Sequence, residues 1–368
     1  MGFATRKIDS VKSNLNSLVV KHKGTDNATI LRGIAALSVV VVHYDGFGAR
    51  NLFYELSITG RLVNFLINMG VFGPIIFFVA SGFALSASYA RKPIKIGLFI
   101  FQRFFRLWPL YFIVLMATFA IRPIRGPSSF TLINLSVHLS FLDPFSGKFF
   151  TDDPVGVLSS IPIEFWWSLS IPIIFIVRRK KYILVEALIL LAISVITFAS
   201  TEIISAYSVF NGLQQSQLLE YGAYFYLGNF AWHIRPHVLD SKYYLRYLIS
   251  SITGMTIMQI FRAASEIKIA MVSLMFLVFL RDITSSKKSL SMINNLFIAI
   301  GTICYSIYLW HYPILRIVNP LRENLWLYIP ITFFAICITS ILSYLFIEIK
   351  GIEICRTLGS KLNFLKLN

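Results

Sequence analysis

Residues 28–46 read ATILRGIAALSVVVVHYDG, an apolar run long enough to cross the hydrocarbon core of a bilayer. Two basic side chains interrupt it, Arg32 and His43. Eleven helical steps of 100° return to within about 20° of the start, so both residues face one way, about 16 Å apart along the axis. An arginine and a histidine on one buried stripe of a membrane helix are costly, and function is the default reading.

The rest of the chain has the same character. It is 56% hydrophobic and only 14% charged over 368 residues, with a mean hydropathy of +0.70. Soluble domains carry nearer a quarter charged residues. Apolar runs are expected to span near 28–46, 67–89, 104–121, 158–177, 182–200, 217–234, 245–262, 266–281, 293–314 and 325–347. The fold expected is therefore an all-α, polytopic integral membrane bundle of about ten transmembrane helices. Of the 34 Lys and Arg residues, 24 fall in alternate segments on the side of the N-terminus and 9 on the other. The positive-inside rule then places both termini in the cytoplasm. The net charge of +17 reflects this anchoring, and no nucleic-acid partner is expected; the partner is membrane lipid.

Three sections follow. Residues 1–27 form a basic cytoplasmic segment with no cleaved signal peptide, 28–349 the membrane domain, and 350–368 a cytoplasmic tail. In the long outside segment, 122–157, the stretch 131–142 is too short to span and is expected to be interfacial or re-entrant. Cys304, Cys337 and Cys355 make neither a disulfide framework nor a metal spacing, so no metal is expected. No internal repeat stands out.

Polar residues beside the spans are the candidate chemistry. Arg103 and Arg106, at i and i+3 in QRFFRLWP, share a helix face near the cytoplasmic end. Guanidinium forks suit phosphate oxygens, although plain membrane anchoring also puts arginines there. The separation of Arg32 from His43 matches an extended phosphopantetheine arm, with phosphates at one end and a thioester at the other. A neutral His43 could take a proton from a hydroxyl, or be an ordinary interfacial polar residue. Glu164, in SIPIEFWWS, shares a face with Ser160 and Ser168. It could orient and charge-stabilise His43, pair with an arginine, or suit the start of a helix at Pro162. In YSIYLWHYP, residues 305–313, Tyr305, Tyr308 and Tyr312 lie on one face with His311 beside them. Interface aromatics are the commonplace explanation; His311, Tyr308 and Ser81 are nonetheless candidate oxyanion or acceptor contacts. Ser81, beside Gly82, equally suits close helix packing.

Taken together and in order, these blocks resemble acyltransferase family 3. The resemblance rests on Leu31-Arg32-Gly33 with His43, Phe77-Phe78 to Ser81-Gly82-Phe83, Arg103 to Pro109, Ser160 to Glu164, and Tyr305 to Pro313. It implies a bacterial inner-membrane O-acyltransferase. Its donor would be a cytoplasmic acyl-CoA, acetyl-CoA foremost, and its acceptor a hydroxyl of a lipid-linked or exported glycan such as O-antigen (lipopolysaccharide) or exopolysaccharide. Glycan-assembly proteins would be its partners. Arg32, Arg103 and Arg106 would bind the donor, and His43 with Glu164 would be catalytic. Pro162 and Trp166-Trp167-Ser168 depart from the family's usual fourth-span block, which bears on the acceptor pocket. Two other classes use similar residues: a permease with a buried His/Glu/Arg relay, and a non-catalytic scaffold for polysaccharide assembly.

Overall fold

The computed structural model describes residues 26–46, 70–91, 95–121, 132–145, 157–179, 215–260, 265–279 and 291–364. Every regular element among them is helical. The first three long helices are α1 (Asp26–Gly46), α2 (Gly73–Arg91) and α3 (Ile96–Ile121). Then come the short α4 (Leu132–Leu139), α5 (Ser160–Ser168) and α6 (Ser170–Arg179), followed by α7 (Gln215–Leu239), α8 (Tyr244–Ile260) and α9 (Ser265–Phe279). Finally there are α10 (Ser291–Thr302), α11 (Cys304–Val318), α12 (Leu325–Ser343) and α13 (Ile349–Phe364), with a π-helical turn, Tyr344–Glu348, joining the last two.

By length and apolarity, four described helices suffice to cross a membrane: Asp26–Tyr44, Gly73–Arg91, Ile96–Ile121 and Leu325–Cys355. A fifth arises if the bent pair Ile293–Thr302 and Cys304–Glu323 counts as one span. This is fewer than the ten expected, for physical reasons. The expected span 182–200 lies outside the described residues. The expected span 158–177 is present as a shorter apolar helical stretch, Ser160–Ile176, interrupted by one turn residue at Leu169, where Pro172 has no N–H to return to the carbonyl of Ser168. The ninth bends by 70° at Ile303, whose φ of −96° and ψ of 9° leave the helical basin. α7 is long enough but carries Asn229, His233 and Arg235.

Contacts fix the relative directions. α1 and α2 are antiparallel: Gly73 packs on Ala35 and Val39, and Phe77 on Arg32. α1 runs parallel to α11, since Arg32 lies near Cys304 and His43 meets His311, while α10 crosses α1 where Gly33 meets Gly301. α12 returns antiparallel, with Trp310 Nε1 donating to Ser343 Oγ (2.7 Å) and Tyr328 O–H to Leu315 O (3.3 Å). Asp26 and Glu348 therefore lie toward the same end of the bundle. Asn324 starts α12 by accepting from the Leu327 N–H.

The tightest seam joins α2 and α7, which run parallel at a constant offset. The ring of Phe78 stacks on Tyr221 at 4.7 Å, Gly82 faces Phe225, and Asn229 donates to Ser86 Oγ at 2.7 Å. A Cβ on Gly82 would sit 1.9 Å from Phe225 O, and one on Gly228 1.8 Å from Val79 O. These obstacles are backbone and cannot turn aside. Gly228→Ala is thus expected to destabilise the protein by about 3 kcal/mol, read as a lower unfolding temperature in detergent. Gly97→Ala, where a Cβ meets nothing within 4 Å, is the matched control and is expected to be neutral or slightly stabilising.

The outside stretch expected at 131–142 folds back between α3 and α5. Trp108 Nε1 donates to Leu139 O (3.0 Å) and Trp166 Nε1 to Phe141 O (2.7 Å). Phe141 takes a positive φ of 59° and is fully buried against Phe104, Tyr111 and Phe165. Phe104 and Phe165 directly follow Arg103 and Glu164, so the stretch packs beside the turns that carry that pair.

Candidate active site

Three arginines and two carboxylates gather at one depth of the bundle. Arg103, from the second turn of α3, donates from Nη2 to Glu164 Oε1 at 3.1 Å. Both residues are buried, 8% and 2% exposed. α5 begins at Ser160, which places Pro162 in its first turn and Glu164 in its second, turned toward α3. Of the partners that the sequence left open for Glu164, the one in contact is an arginine. Arg32, on α1, feels the charges of both Glu164 and Glu348. Arg106 acts on Arg103 and on Glu348.

Glu348 escaped the sequence reading, which ended the last span one residue short of it. The side chain is 4% exposed and accepts a hydrogen bond from Ser306 Oγ. It closes the π-helical turn, a local widening that occurs often at functional sites. A carboxylate at the end of the most apolar span was the available signal. The cluster holds one formal positive charge in excess, and it is not saturated. Arg32 Nε, Arg103 Nε and Glu164 Oε2 are buried without a hydrogen-bond partner among the described residues.

At the other end of the stripe, His43 is half-buried and its Nδ1 lies 2.8 Å from Val39 O. A carbonyl can only accept, so Nδ1 carries the proton and Nε2 of the neutral ring is a lone pair. His43 meets His311 edge-on at 5.0 Å between ring centres, and Tyr312 at 5.6 Å. α1 brings Arg32 and His43 to one stripe, and α2 and α11 join their two ends with rings. The Arg32 guanidinium lies 5.1 Å from the centre of Phe77. Phe77 stacks on Tyr308 at 6.1 Å, Tyr308 approaches His311 at 5.7 Å, and His311 touches His43. The bend at Ile303 aims this face of α11 along α1. Just before the bend, Gly301 lets α10 touch α1, where a Cβ would stand 1.9 Å from Thr29 O.

The remaining candidates divide. Ser160 Oγ lies 3.2 Å from Val157 O, to which it donates, and 2.8 Å from the Tyr308 hydroxyl. Tyr308 is thereby tied to α5. Ser81 is not brought to His43. It lies one turn past Phe77 on the arginine side, 4% exposed, its hydroxyl unpartnered among the described residues. His43 packs instead near the turn of α1 that meets Gly70.

A family model described as an acyltransferase domain matches residues 26–348. The chain belongs to acyltransferase family 3. No curated protein and no solved structure gives a match. The matched region of this membrane acyltransferase begins at the first residue of α1 and ends on Glu348. Both the cationic cluster and the histidine pair fall inside it.

Proposed function

We propose that the protein moves a small acyl group, acetyl foremost, from acyl-CoA to a hydroxyl of a lipid-linked or exported carbohydrate such as O-antigen or exopolysaccharide. It would do so across a bacterial inner membrane. The observation that carries this reading is the continuous path from Arg32 through Phe77, Tyr308 and His311 to His43. A phosphate-binding charge and a proton acceptor stand on one helix, about 16 Å apart. That is the span of a phosphopantetheine arm. Buried guanidinium atoms without partners suit phosphate oxygens. The bare Nε2 of His43 suits a hydroxyl proton.

In this scheme the arginine cluster holds the donor phosphates at the cytoplasmic mouth. The pantetheine runs along the wall of Phe77 and Tyr308, and its thioester reaches His43. His43 Nε2 takes the acceptor's proton as the hydroxyl oxygen bonds to the thioester carbon. The C–S bond then breaks, the electron pair leaves on sulfur, and the proton passes from His43 to the thiolate. Glu164 acts by holding Arg103 in place. Fixing donor and acceptor in line supplies much of the acceleration.

The deciding experiment supplies radiolabelled acetyl-CoA to inside-out membrane vesicles. Label covalently bound to glycan is the expected result; glycan left unlabelled while unmodified substrate crosses the membrane would favour a permease. Arg106 stands outside the buried ion pair, so its removal leaves the fold intact. Arg106→Ala is expected to raise KM for acyl-CoA by about tenfold with a smaller change in kcat, measured by initial rates at varied donor.

A further inference from the structure

His311 is the most buried titratable group beside His43, and the scheme above gives it no task. It is 0% exposed, whereas His43 is half-buried, so His311 stands behind it. Its Nδ1 lies 2.6 Å from Tyr308 O, and by the argument applied to His43 that nitrogen carries the proton. Its Nε2 is then a lone pair, fully buried and without a partner among the described residues. A buried acceptor left open is costly and calls for an explanation. As a neutral ring in this tautomer it has no N–H left to offer an oxyanion.

We propose that His311 is a positioning residue that, as a neutral imidazole behind His43 with its Nε2 lone pair free, stabilises the imidazolium His43 becomes on taking the acceptor's proton. The inference rests on the acyl-transfer reading above. Two lone-pair nitrogens in one compartment have nothing to share until the reaction brings a proton. One proton makes the pair attractive; a second would set two cations against each other. Beyond the two Nδ1 protons, the dyad therefore holds at most one more, and that proton, received from the hydroxyl, leaves with the thiolate. An imidazole suits this place better than a carboxylate, because it is uncharged at rest inside the membrane. Glu164 is already engaged by Arg103. The neighbours of the pair are Tyr308 and Tyr312 on α11 and Tyr44 on α1, whose hydroxyl meets Thr332 of α12. Among the described residues, His43 is the only charge acting on His311.

The test separates the lone pair from the packing. In His311→Ala, turnover with acetyl-CoA is expected to fall by about tenfold to a hundredfold at unchanged KM for the donor. Added imidazole should restore it and pyrrole, a ring of the same size without a basic nitrogen, should not. His311→Phe keeps the cavity filled and serves if the alanine variant does not fold; it should show the same loss of kcat. Equal rescue by pyrrole, or a wild-type kcat in His311→Phe, would overturn the proposal. Transfer by the wild type and its loss in His43→Ala report separately on the acyl-transfer reading, so the two can fail independently.

Discussion

Replacing His43 with alanine is expected to lower acyl transfer by about a hundredfold to ten-thousandfold, the range for loss of a general base, at normal protein level in the membrane. The fold has little reason to suffer. His43 is half-buried, and among the described residues its ring nitrogen bonds only within its own helix, to Val39 O. Among the described residues, the alanine leaves no long-range partner unsatisfied apart from ring contacts with His311 and Tyr312. The measurement is label transferred from acetyl-CoA to glycan, normalised to protein quantified in the same vesicles. His43→Gln, of similar length but unable to act as a base, should fail equally. Retained transfer in either variant would remove His43 from the chemistry and leave the arginine cluster without a reaction to serve.

The second large effect concerns stability. Glu164→Ala would strand the Arg103 guanidinium in a site 8% exposed. Breaking a buried pair from one side costs about 3–5 kcal/mol. The unfolding temperature in detergent should drop accordingly, and Glu164→Gln, which keeps an acceptor for Arg103 Nη2, should lose less. The double variant Arg103→Met with Glu164→Leu removes both charges together and should recover much of the stability. On the proposed reading its acyl transfer should nevertheless stay low, because a guanidinium assigned to the donor phosphates has gone. Recovery of both stability and activity would show that the pair serves only the fold.

Local periodicity made part of this site legible. Arg32 and His43 on one stripe follow from an eleven-residue spacing, and the long apolar helices α1, α2 and α3 follow from composition. The partner of Glu164 was not legible. The bond to Arg103 joins residues 61 apart, and a single sequence offers several arginines at similar depth. The bend at Ile303 carries no proline, and the demand on Gly301 comes from Thr29 across the bundle. The location of His311 directly behind His43 depends on that bend, so the sequence showed two histidines without showing that they meet. Glu348 was hidden by a boundary, because a hydropathy window ends where charge begins, and this carboxylate is buried just there.

The glycine seam between α2 and α7 has a mechanical meaning. Backbone touches backbone there at Gly82 and Gly228, with no flexible side chain to act as a spring, so the two helices behave as one stiff beam. Phe77 is carried on that beam, while Tyr308 and His311 ride on α11, beyond the bend. The arginine end of the path is thus set by backbone contact, and the histidine end by the direction in which α11 leaves Ile303.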